Sequence, residues 1–192
     1  MRIAVTGTHG SGKTTLVDDF ADAFRHFEPI PEPYWDLAEQ GMLLPGEPTV
    51  DSFLTQLHHS LSVISASGAE AETDVIFDRC PLDFIAYLEV ISEQNGTDWF
   101  PSGSLLTRIE AALAALDLIV FLPLSEPDQI TADIEYQELR GQVDERLKSI
   151  LREDELGLLE NGPRIIELTG SPQVRIDALV KTVPALQKRQ PI

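Results

Sequence analysis

Basic residues are scarce in this chain. Its 192 residues include 14 lysines and arginines against 32 acidic residues, which gives a formal net charge of −18. A field of this sign repels polyanions, and no run of Lys and Arg supplies the basic stripe that nucleic-acid binding usually needs. The composition therefore argues against a long nucleic acid as partner or substrate. A local basic cleft could still hold a small phosphate ester.

Cysteine and long hydrophobic runs are scarce as well. A single cysteine, Cys80, excludes an intramolecular disulfide and is compatible with a reducing compartment. The most apolar stretch, residues 116–124, is far too short to cross a bilayer, and the first residues resemble a strand rather than a signal segment. We therefore expect a cytoplasmic protein with no membrane segment, folded as one domain over residues 1–192. The oligomeric state stays open, and a homodimer is one option.

The chain does contain a complete phosphate-binding motif. Residues 7–14 read G-T-H-G-S-G-K-T and fit the pattern G-x-x-x-x-G-K-[ST] without a mismatch. A strand pattern precedes the motif and an amphipathic helix pattern follows it, which is the context such a loop requires. Its glycines let backbone N–H groups point at an anion, Lys13 can reach the β- and γ-phosphates, and the Thr14 hydroxyl can ligate Mg²⁺. The motif predicts a nucleoside triphosphate site formed by Gly7, His9, Gly10, Ser11, Gly12, Lys13, Thr14 and Thr15.

Short β-rich runs alternate with helical patterns along the whole chain. This alternation predicts an α/β fold with a five-stranded parallel sheet and helices on both faces. The predicted strands are Ile3–Gly7, the region around Ile30–Glu32, Val75–Asp78, Leu118–Leu122 and Arg164–Leu168. The predicted helices cover 14–27, 50–67, 82–93, 104–116, 127–159 with a break near Gly141, and 173–187. Two long loops, 40–48 and 95–103, would flank a ligand if they lie at the carboxyl ends of the strands.

An acid at the end of the third predicted strand limits the reaction classes that fit the sequence. Asp78 has the position of the second acid that holds Mg²⁺, directly or through water. Motor-type ATPases follow this acid with a glutamate that activates water, whereas here Arg79 follows, and a guanidinium cannot accept a proton. The guanine-specifying N-K-x-D tetrapeptide is missing from the sequence. These features favour a kinase that phosphorylates a small molecule.

The segment 78–87, D-R-C-P-L-D-F-I-A-Y, resembles the D-R-x-x-x-D-x-x-A-Y pattern of one P-loop kinase family. That family, often described as an AAA-type ATP-binding domain, includes the nicotinamide riboside kinase domain of bacterial NAD-biosynthesis regulators and is related to the nucleoside kinases. Further similarity lies in residues 1–16, 32–34, Arg140 with Arg146, and 168–175. The resemblance implies a three-layer P-loop fold with strand order 2-3-1-4-5, and ATP as phosphoryl donor.

Glu32 is the candidate base. In similar kinases a carboxylate after the second strand accepts the proton of the attacking hydroxyl or contacts the acceptor. Asp36 is the fallback for this role, Asp78 could orient the acceptor instead, and Glu32 could also be a solvated acid of a turn. Tyr34 and Trp35 could stack on a planar ring or could belong to the core.

The arginines supply the remaining catalytic candidates. Arg79 could hold an acceptor phosphate or orient a carboxylate, or form a structural ion pair. The resemblance implies a helical lid at about 126–160, whose Arg140 and Arg146 neutralise the transferring phosphoryl group, with Gly141 as hinge or breaker. For Arg146 a solvated position on the helix is the alternative.

Gln56, Asp83 and Tyr87 are further polar residues that could reach the same cleft. We expect Gln56 to be solvated and Tyr87 to be core, although Asp83 and Tyr87 are spaced so that both could face the cleft. We expect Cys80 to be inert.

The sequence thus predicts an ATP-dependent, Mg²⁺-dependent phosphotransferase whose acceptor is a nucleoside-like or other small hydroxyl compound. The alternative is a nucleotide-binding regulatory ATPase with little transfer activity. The identity of the acceptor is not encoded in a recognisable motif.

Overall fold

A parallel five-stranded sheet forms the centre of the protein. The structure, a computed structural model, describes residues 1–67, 74–125, 135–160 and 162–187. The strands are β1 (Arg2–Thr6), β2 (Phe27–Ile30), β3 (Asp74–Asp78), β4 (Leu118–Phe121) and β5 (Arg164–Glu167). They lie in the order β2-β3-β1-β4-β5, and every neighbouring pair is parallel. The predicted strand order is confirmed.

Helices connect the strands and cover both faces of the sheet. They are α1 (Lys13–Ala23), α2 (Pro33–Glu39), α3 (Val50–Ser67), α4 (Pro81–Gln94), α5 (Gly103–Ala114), α6 (Gln137–Glu153) and α7 (Pro172–Gln187). Within the ranges given above, no helix is both long enough and apolar enough to span a bilayer.

Alternating side chains of β1 divide the core into two halves. Ile3 and Val5 pack with α1 and α7, while Ala4 packs with α3, α4, α5 and α6 on the opposite face. This period of two is the geometry of a strand buried on both faces. The predicted three-layer architecture is therefore confirmed.

The parallel arrangement brings three functional segments to one edge of the sheet. The carboxyl end of β1 leads into the phosphate loop, that of β3 ends at Asp78, and that of β2 leads to Glu32. Loop 40–48 returns to this edge, since its residues 45–48 line a cavity there together with Glu32. Loop 95–103 follows the end of α4 that is remote from this edge, so the condition for flanking a ligand is not met there.

The structure differs from the sequence-based boundaries in three places. α6 continues through Gly141, so the predicted break is wrong; burial of Leu139, Val143 and Leu147 on that helix outweighs a glycine cost of about 1 kcal/mol. β2 begins at Phe27 because its ring packs edge-on against Phe20 at 5.1 Å, a contact that the local pattern does not encode. The short helix α2 was not predicted. Residues 126–134 of the predicted lid lie outside the described ranges.

Candidate active site

The phosphate loop (residues 7–14) runs from β1 into the first turn of α1. Gly10 and Gly12 have φ angles of 66° and 92°, in the region that favours glycine. At Gly7 a Cβ would lie 2.7 Å from the Leu122 carbonyl oxygen, so a side chain has no room there. Gly12 is the N-cap of α1, and no side chain of the described ranges caps this helix. The first N–H groups of α1 therefore remain available to an anion.

Lys13 is buried inside this loop. Its ammonium group donates to the Thr8 carbonyl oxygen at 3.0 Å. Burial lowers the pKa of Lys13, and the nearby Arg79 lowers it further, against the opposing effect of carboxylates such as Glu32. Because its charge is poorly compensated, a phosphate group placed in the loop would stabilise the charged form.

Thr14 and Asp78 form a contact pair at the mouth of the loop. The Thr14 hydroxyl donates to Asp78 Oδ2 at 2.5 Å, while Asp78 Oδ1 is buried without a hydrogen-bond partner in the described structure. Burial raises the pKa of Asp78, although Lys13 opposes this effect. A hydroxyl and an unsatisfied carboxylate oxygen fit Mg²⁺, which keeps water and substrate phosphates as its other ligands. Elsewhere in the described ranges, no group of three or more His, Cys, Asp or Glu side chains could hold a metal ion.

Arg79 links the second strand to the loop. Its backbone has a φ of 86°, an unusual conformation for a residue with a side chain. Its Nε donates to Glu32 Oε1 at 2.5 Å, and its Nη1 lies 3.3 Å from both Asp83 Oδ1 and the Gly7 carbonyl oxygen. Burial acts to lower the pKa of Arg79, but the electrostatic effects of Glu32, Tyr87 and Asp83 outweigh burial. The pKa of Arg79 is therefore raised well above its usual range. Arg79 thus pairs with two carboxylates, which agrees with two of the alternatives that the sequence left open, orientation of a carboxylate and a structural ion pair.

Glu32 is held ionised by this arrangement. Burial acts to raise its pKa, but Arg79 and Lys13 outweigh that effect, so the pKa of Glu32 lies below its usual value. The carboxylate follows β2 at the start of α2, where Pro33 occupies the first helical turn. Its position is therefore fixed from two sides, by the backbone and by the guanidinium.

Asp83 anchors the beginning of the loop. The side chain is fully buried, and its Oδ1 accepts from the Gly7 N–H at 3.0 Å. Its Oδ2 accepts from the Thr6 hydroxyl at 2.7 Å and from the Cys80 N–H at 2.9 Å, so the same carboxylate also caps α4. The sequence pattern placed Asp83 near the cleft, but it gave no indication of these bonds to the loop.

Two buried arginines hold the other side of the loop. Arg140 donates from Nε to the His9 carbonyl oxygen at 2.9 Å and lies 3.3 Å from that of Gly10. Arg175, which the sequence analysis did not single out, donates from Nη1 to the Ser11 carbonyl oxygen at 2.6 Å. The Arg175 Nε is buried without a hydrogen-bond partner in the described residues, and burial lowers the pKa of this guanidinium. Its signal in the sequence was weak: one arginine on the helix after the last strand of an acidic chain.

Arg146 lies elsewhere. It forms ion pairs with Glu89 at 2.7 Å and with Glu93 at 2.6 Å, both on α4. Packing of α6 against α4 therefore turns Arg146 away from the phosphate loop. The structure does not bring it together with Arg140 and Lys13, contrary to the expectation of two arginines acting in one lid.

Two cavities of about 200 Å³ each lie on the two sides of the loop. The first cavity is bounded by the loop, by α1 and by the residues after β4 and β5. Its lining includes Gly10, Ser11, Gly12, Thr15, Leu16, Pro123, Arg140, Gly170 and Arg175. The second cavity is bounded by α2, α3, α4 and loop 40–48. Its lining includes His9, Glu32, Tyr34, Glu47, Phe53, Gln56, Arg79, Tyr87, Glu135 and Tyr136.

The side chains in and near the second cavity bear on several expectations, and one of these expectations is wrong. Gln56 is buried and lines it, so the expectation of a solvated glutamine is wrong. Tyr34 lines it too, whereas Trp35 is largely exposed. Asp36, the fallback base, accepts a hydrogen bond from His59 at 2.6 Å. Cys80 is buried, which raises the pKa of its thiol and agrees with the expectation of an inert residue.

The glycine-rich loop ending in Lys-Thr, the carboxylate beside that threonine and the 2-3-1-4-5 sheet define a P-loop nucleotide-binding protein. Residues 2–173 match the AAA domain family, and the chain belongs to it. No curated protein matches the sequence.

Solved structures of kinases share the fold. Deoxyadenosine kinase from M. mycoides with bound dATP is 15% identical with a TM-score of 0.64, over 96% of this chain and 99% of that one. Thymidylate kinase from Candida albicans is 16% identical with a TM-score of 0.61, over 98% and 93%. NadR in complex with NAD and AMP-PNP is 21% identical with a TM-score of 0.64, over 100% of this chain and 50% of NadR. The predicted resemblance to kinases of the AAA-type ATP-binding domain is confirmed.

Proposed function

We propose that the protein is an ATP-dependent small-molecule kinase that transfers the γ-phosphoryl group to a hydroxyl of a nucleoside-like acceptor. The observation that carries this proposal is the position of Glu32. Its ionised carboxylate lines the second cavity, while the phosphate loop separates this cavity from the first. A donor and an acceptor bound on the two sides would meet at Lys13. The shared fold with deoxyadenosine and thymidylate kinases supports this assignment.

The first cavity suits the nucleotide donor. It offers the phosphate loop at one end and an apolar wall that includes Leu16 and Pro123 for a base. Lys13, Arg140 and Arg175 supply positive charge along the loop. Thr14 and Asp78 would hold Mg²⁺, which when bound neutralises charge on the phosphates.

The second cavity suits an aromatic acceptor that carries no phosphate. Four aromatic rings line it, those of Tyr34, Phe53, Tyr87 and Tyr136. Glu32, Glu47 and Glu135 contribute negative charge, whereas the guanidinium of Arg79 is already paired with carboxylates. A phosphomonoester would enter against this charge, while an uncharged or cationic ring system would not. The amide nitrogen of buried Gln56 lies 3.4 Å from the carbonyl and hydroxyl oxygens of Ser52, and its Oε1 supplies an acceptor for the edge of such a ring.

The proposed step is an in-line phosphoryl transfer. The acceptor oxygen forms a bond to the γ-phosphorus as the bond from that phosphorus to the bridging oxygen of ADP breaks, and the hydroxyl proton passes to Glu32. Lys13 and Arg140 neutralise the transferring group. General-base help of this kind contributes a factor of about 10² to 10⁴. Because Arg79 stands where hydrolytic motors have their base, water has no comparable activator at that position.

A screen of acceptors tests this function. The protein is incubated with Mg²⁺, ATP and single compounds, including deoxyadenosine, nicotinamide riboside and their monophosphates, and products are sought by the mass gain of one phosphoryl group. We expect a hydroxyl acceptor to be phosphorylated and its monophosphate to be a poor acceptor. Lys13→Ala should abolish transfer, whereas Lys181→Ala, which removes the same charge from the exposed side of α7, should not. Slow ATP hydrolysis that no acceptor stimulates would contradict the kinase and favour the regulatory ATPase. The expected cytoplasmic location is part of the same proposal.

A further inference from the structure

All polar groups of His9 form hydrogen bonds to residues outside the phosphate loop. Its N–H donates to the Tyr87 hydroxyl at 3.0 Å, and its carbonyl oxygen accepts from Arg140 at 2.9 Å. Nδ1 lies 2.8 Å from the Tyr87 hydroxyl, and Nε2 lies 2.9 Å from the Glu135 carbonyl oxygen. His9 therefore connects the loop to α4 on one side and to the segment entering α6 on the other.

The chemistry of these partners determines which ring nitrogen of His9 carries the proton. A carbonyl oxygen can only accept, so Nε2–H donates to Glu135 and the neutral ring presents Nδ1 as an acceptor to the Tyr87 O–H. Burial lowers the pKa of His9 against the bond to Glu135, and the charges of Arg79, Lys13 and Arg140 lower it further. The imidazole is thus kept in the neutral form that this pattern needs.

Tyr87 carries the connection into the second cavity. Its ring stacks on Phe53 with centroids 4.4 Å apart and planes 8° apart, and the Arg79 guanidinium lies 5.5 Å from its centroid. Its hydroxyl also lies 3.4 Å from the Thr8 hydroxyl. One side chain therefore touches the phosphate loop with its hydroxyl and the proposed acceptor cavity with its ring.

We propose that Tyr87 and His9 are positioning residues that couple the second cavity to the shape of the phosphate loop. An acceptor ring that packs against Phe53 restrains the Tyr87 side chain. Tyr87 in turn restrains the N–H group and imidazole of His9, on which the loop conformation depends. Nucleotide affinity is therefore set in part by residues that line the other cavity. The proposal rests on the proposed function only in taking the second cavity as the acceptor site.

Binding of Mg²⁺ and AMP-PNP, measured by calorimetry without any acceptor, tests the coupling. Tyr87→Phe keeps the ring but removes the hydroxyl, and it should weaken AMP-PNP binding about tenfold, the equivalent of one or two hydrogen bonds. Thr107→Val is the control: it also removes one hydroxyl, on α5, which lines neither cavity, and that hydroxyl bonds to Gly103 of its own helix, so affinity should stay within about twofold. Phe53→Leu should also weaken binding, because it removes the ring on which Tyr87 stacks.

His9 variants separate positioning from general stability. His9→Asn places an amide oxygen near the position of Nδ1 and should retain most of the affinity, whereas His9→Phe should lose about tenfold. Thermal unfolding of each variant identifies any that fail to fold. Equal affinities for Tyr87→Phe and Thr107→Val would overturn the proposal, and so would an unaffected Phe53→Leu. Failure to find a phosphorylated acceptor would count against the proposed function but would leave this binding test intact.

Discussion

Asp83→Asn is the most informative single change outside the reacting groups. The substitution keeps the size of a fully buried side chain but replaces one carboxylate oxygen with an NH₂ group. Both oxygens are surrounded by donors: Oδ1 faces the Gly7 N–H and Arg79 Nη1, and Oδ2 faces the Thr6 hydroxyl and the Cys80 N–H. Whichever way the amide turns, its NH₂ group meets donors and leaves at least one of them without an acceptor.

The magnitude follows from these contacts. A buried donor left unsatisfied costs about 1–3 kcal/mol, and bonds to a charged acceptor are the stronger ones. With Oδ1 retained toward Gly7, the Thr6 hydroxyl can rotate to accept, but the Cys80 N–H cannot, and the α4 cap is lost. We expect the free energy of unfolding to fall by about 3 kcal/mol, which for a chain of this size lowers Tm by about 6–12 °C. Nucleotide affinity should fall as well, because Gly7 begins the phosphate loop.

Circular dichroism or scanning calorimetry measures the first effect, and calorimetric titration with Mg²⁺ and AMP-PNP measures the second. Asp177→Asn is the control, because Asp177 accepts only an exposed bond from Gln173 and the same change in charge should move Tm by about 2 °C or less. If Asp83→Asn shifted Tm no more than this control, the inference that the Asp83 carboxylate supports the loop would be refuted.

Three further changes test the site. Asp78→Asn should remove Mg²⁺-dependent transfer but raise Tm of the nucleotide-free protein at pH 7. Burial raises the pKa of Asp78 above its ordinary 3.8, so the ionised carboxylate lowers the stability of the folded protein. The sign requires this gain to disappear as the pH falls below 3.8, where the carboxyl becomes protonated in both states; a gain that persists there would contradict the assignment. Glu32→Gln should lower kcat by about 10² to 10⁴ with little change in KM for ATP, and an unchanged kcat would exclude Glu32 as base. Arg175→Ala should weaken AMP-PNP binding about tenfold. Arg25→Ala, just after the C-terminal end of α1, should leave the affinity unchanged. Equal affinities of the two variants in a titration would exclude Arg175 from the donor site.

The sequence was sufficient to predict those parts of the site in which the functional residues also determine the local backbone geometry. Residues 7–14 need glycine at fixed positions, a lysine and a hydroxyl, so the motif itself predicts a loop between a strand and a helix. Asp78 could be predicted as its neighbour because the ends of parallel strands meet at one edge of the sheet. Glu32 could be predicted as a candidate only through resemblance, because nothing local distinguishes it from the other acids of this chain.

The remaining site residues depend on contacts between distant segments. Asp83 and Tyr87 are spaced for one helix face, but only the register of β1 beside β3 determines that they meet Thr6 and His9. Arg146 shows the converse case: its spacing from Arg140 suggested a shared role, and packing of α6 on α4 gave it two glutamates instead. Gln56 was expected in solvent because its helix was identified without knowing what would cover it.

Buried positive charge is concentrated at one place in a chain that is otherwise strongly acidic. Within the described ranges the buried basic side chains are Lys13, Arg79, Arg140 and Arg175, and all four contact the phosphate loop. Arg79 is neutralised by Glu32 and Asp83, whereas Lys13 and Arg175 bond to carbonyl oxygens, which compensate only part of a buried charge. An anion is therefore favoured on the side of Lys13 and Arg175 and disfavoured on the side of Glu32. Under the proposed function, this distribution of charge would separate a phosphate-bearing donor from an acceptor without phosphate within one site.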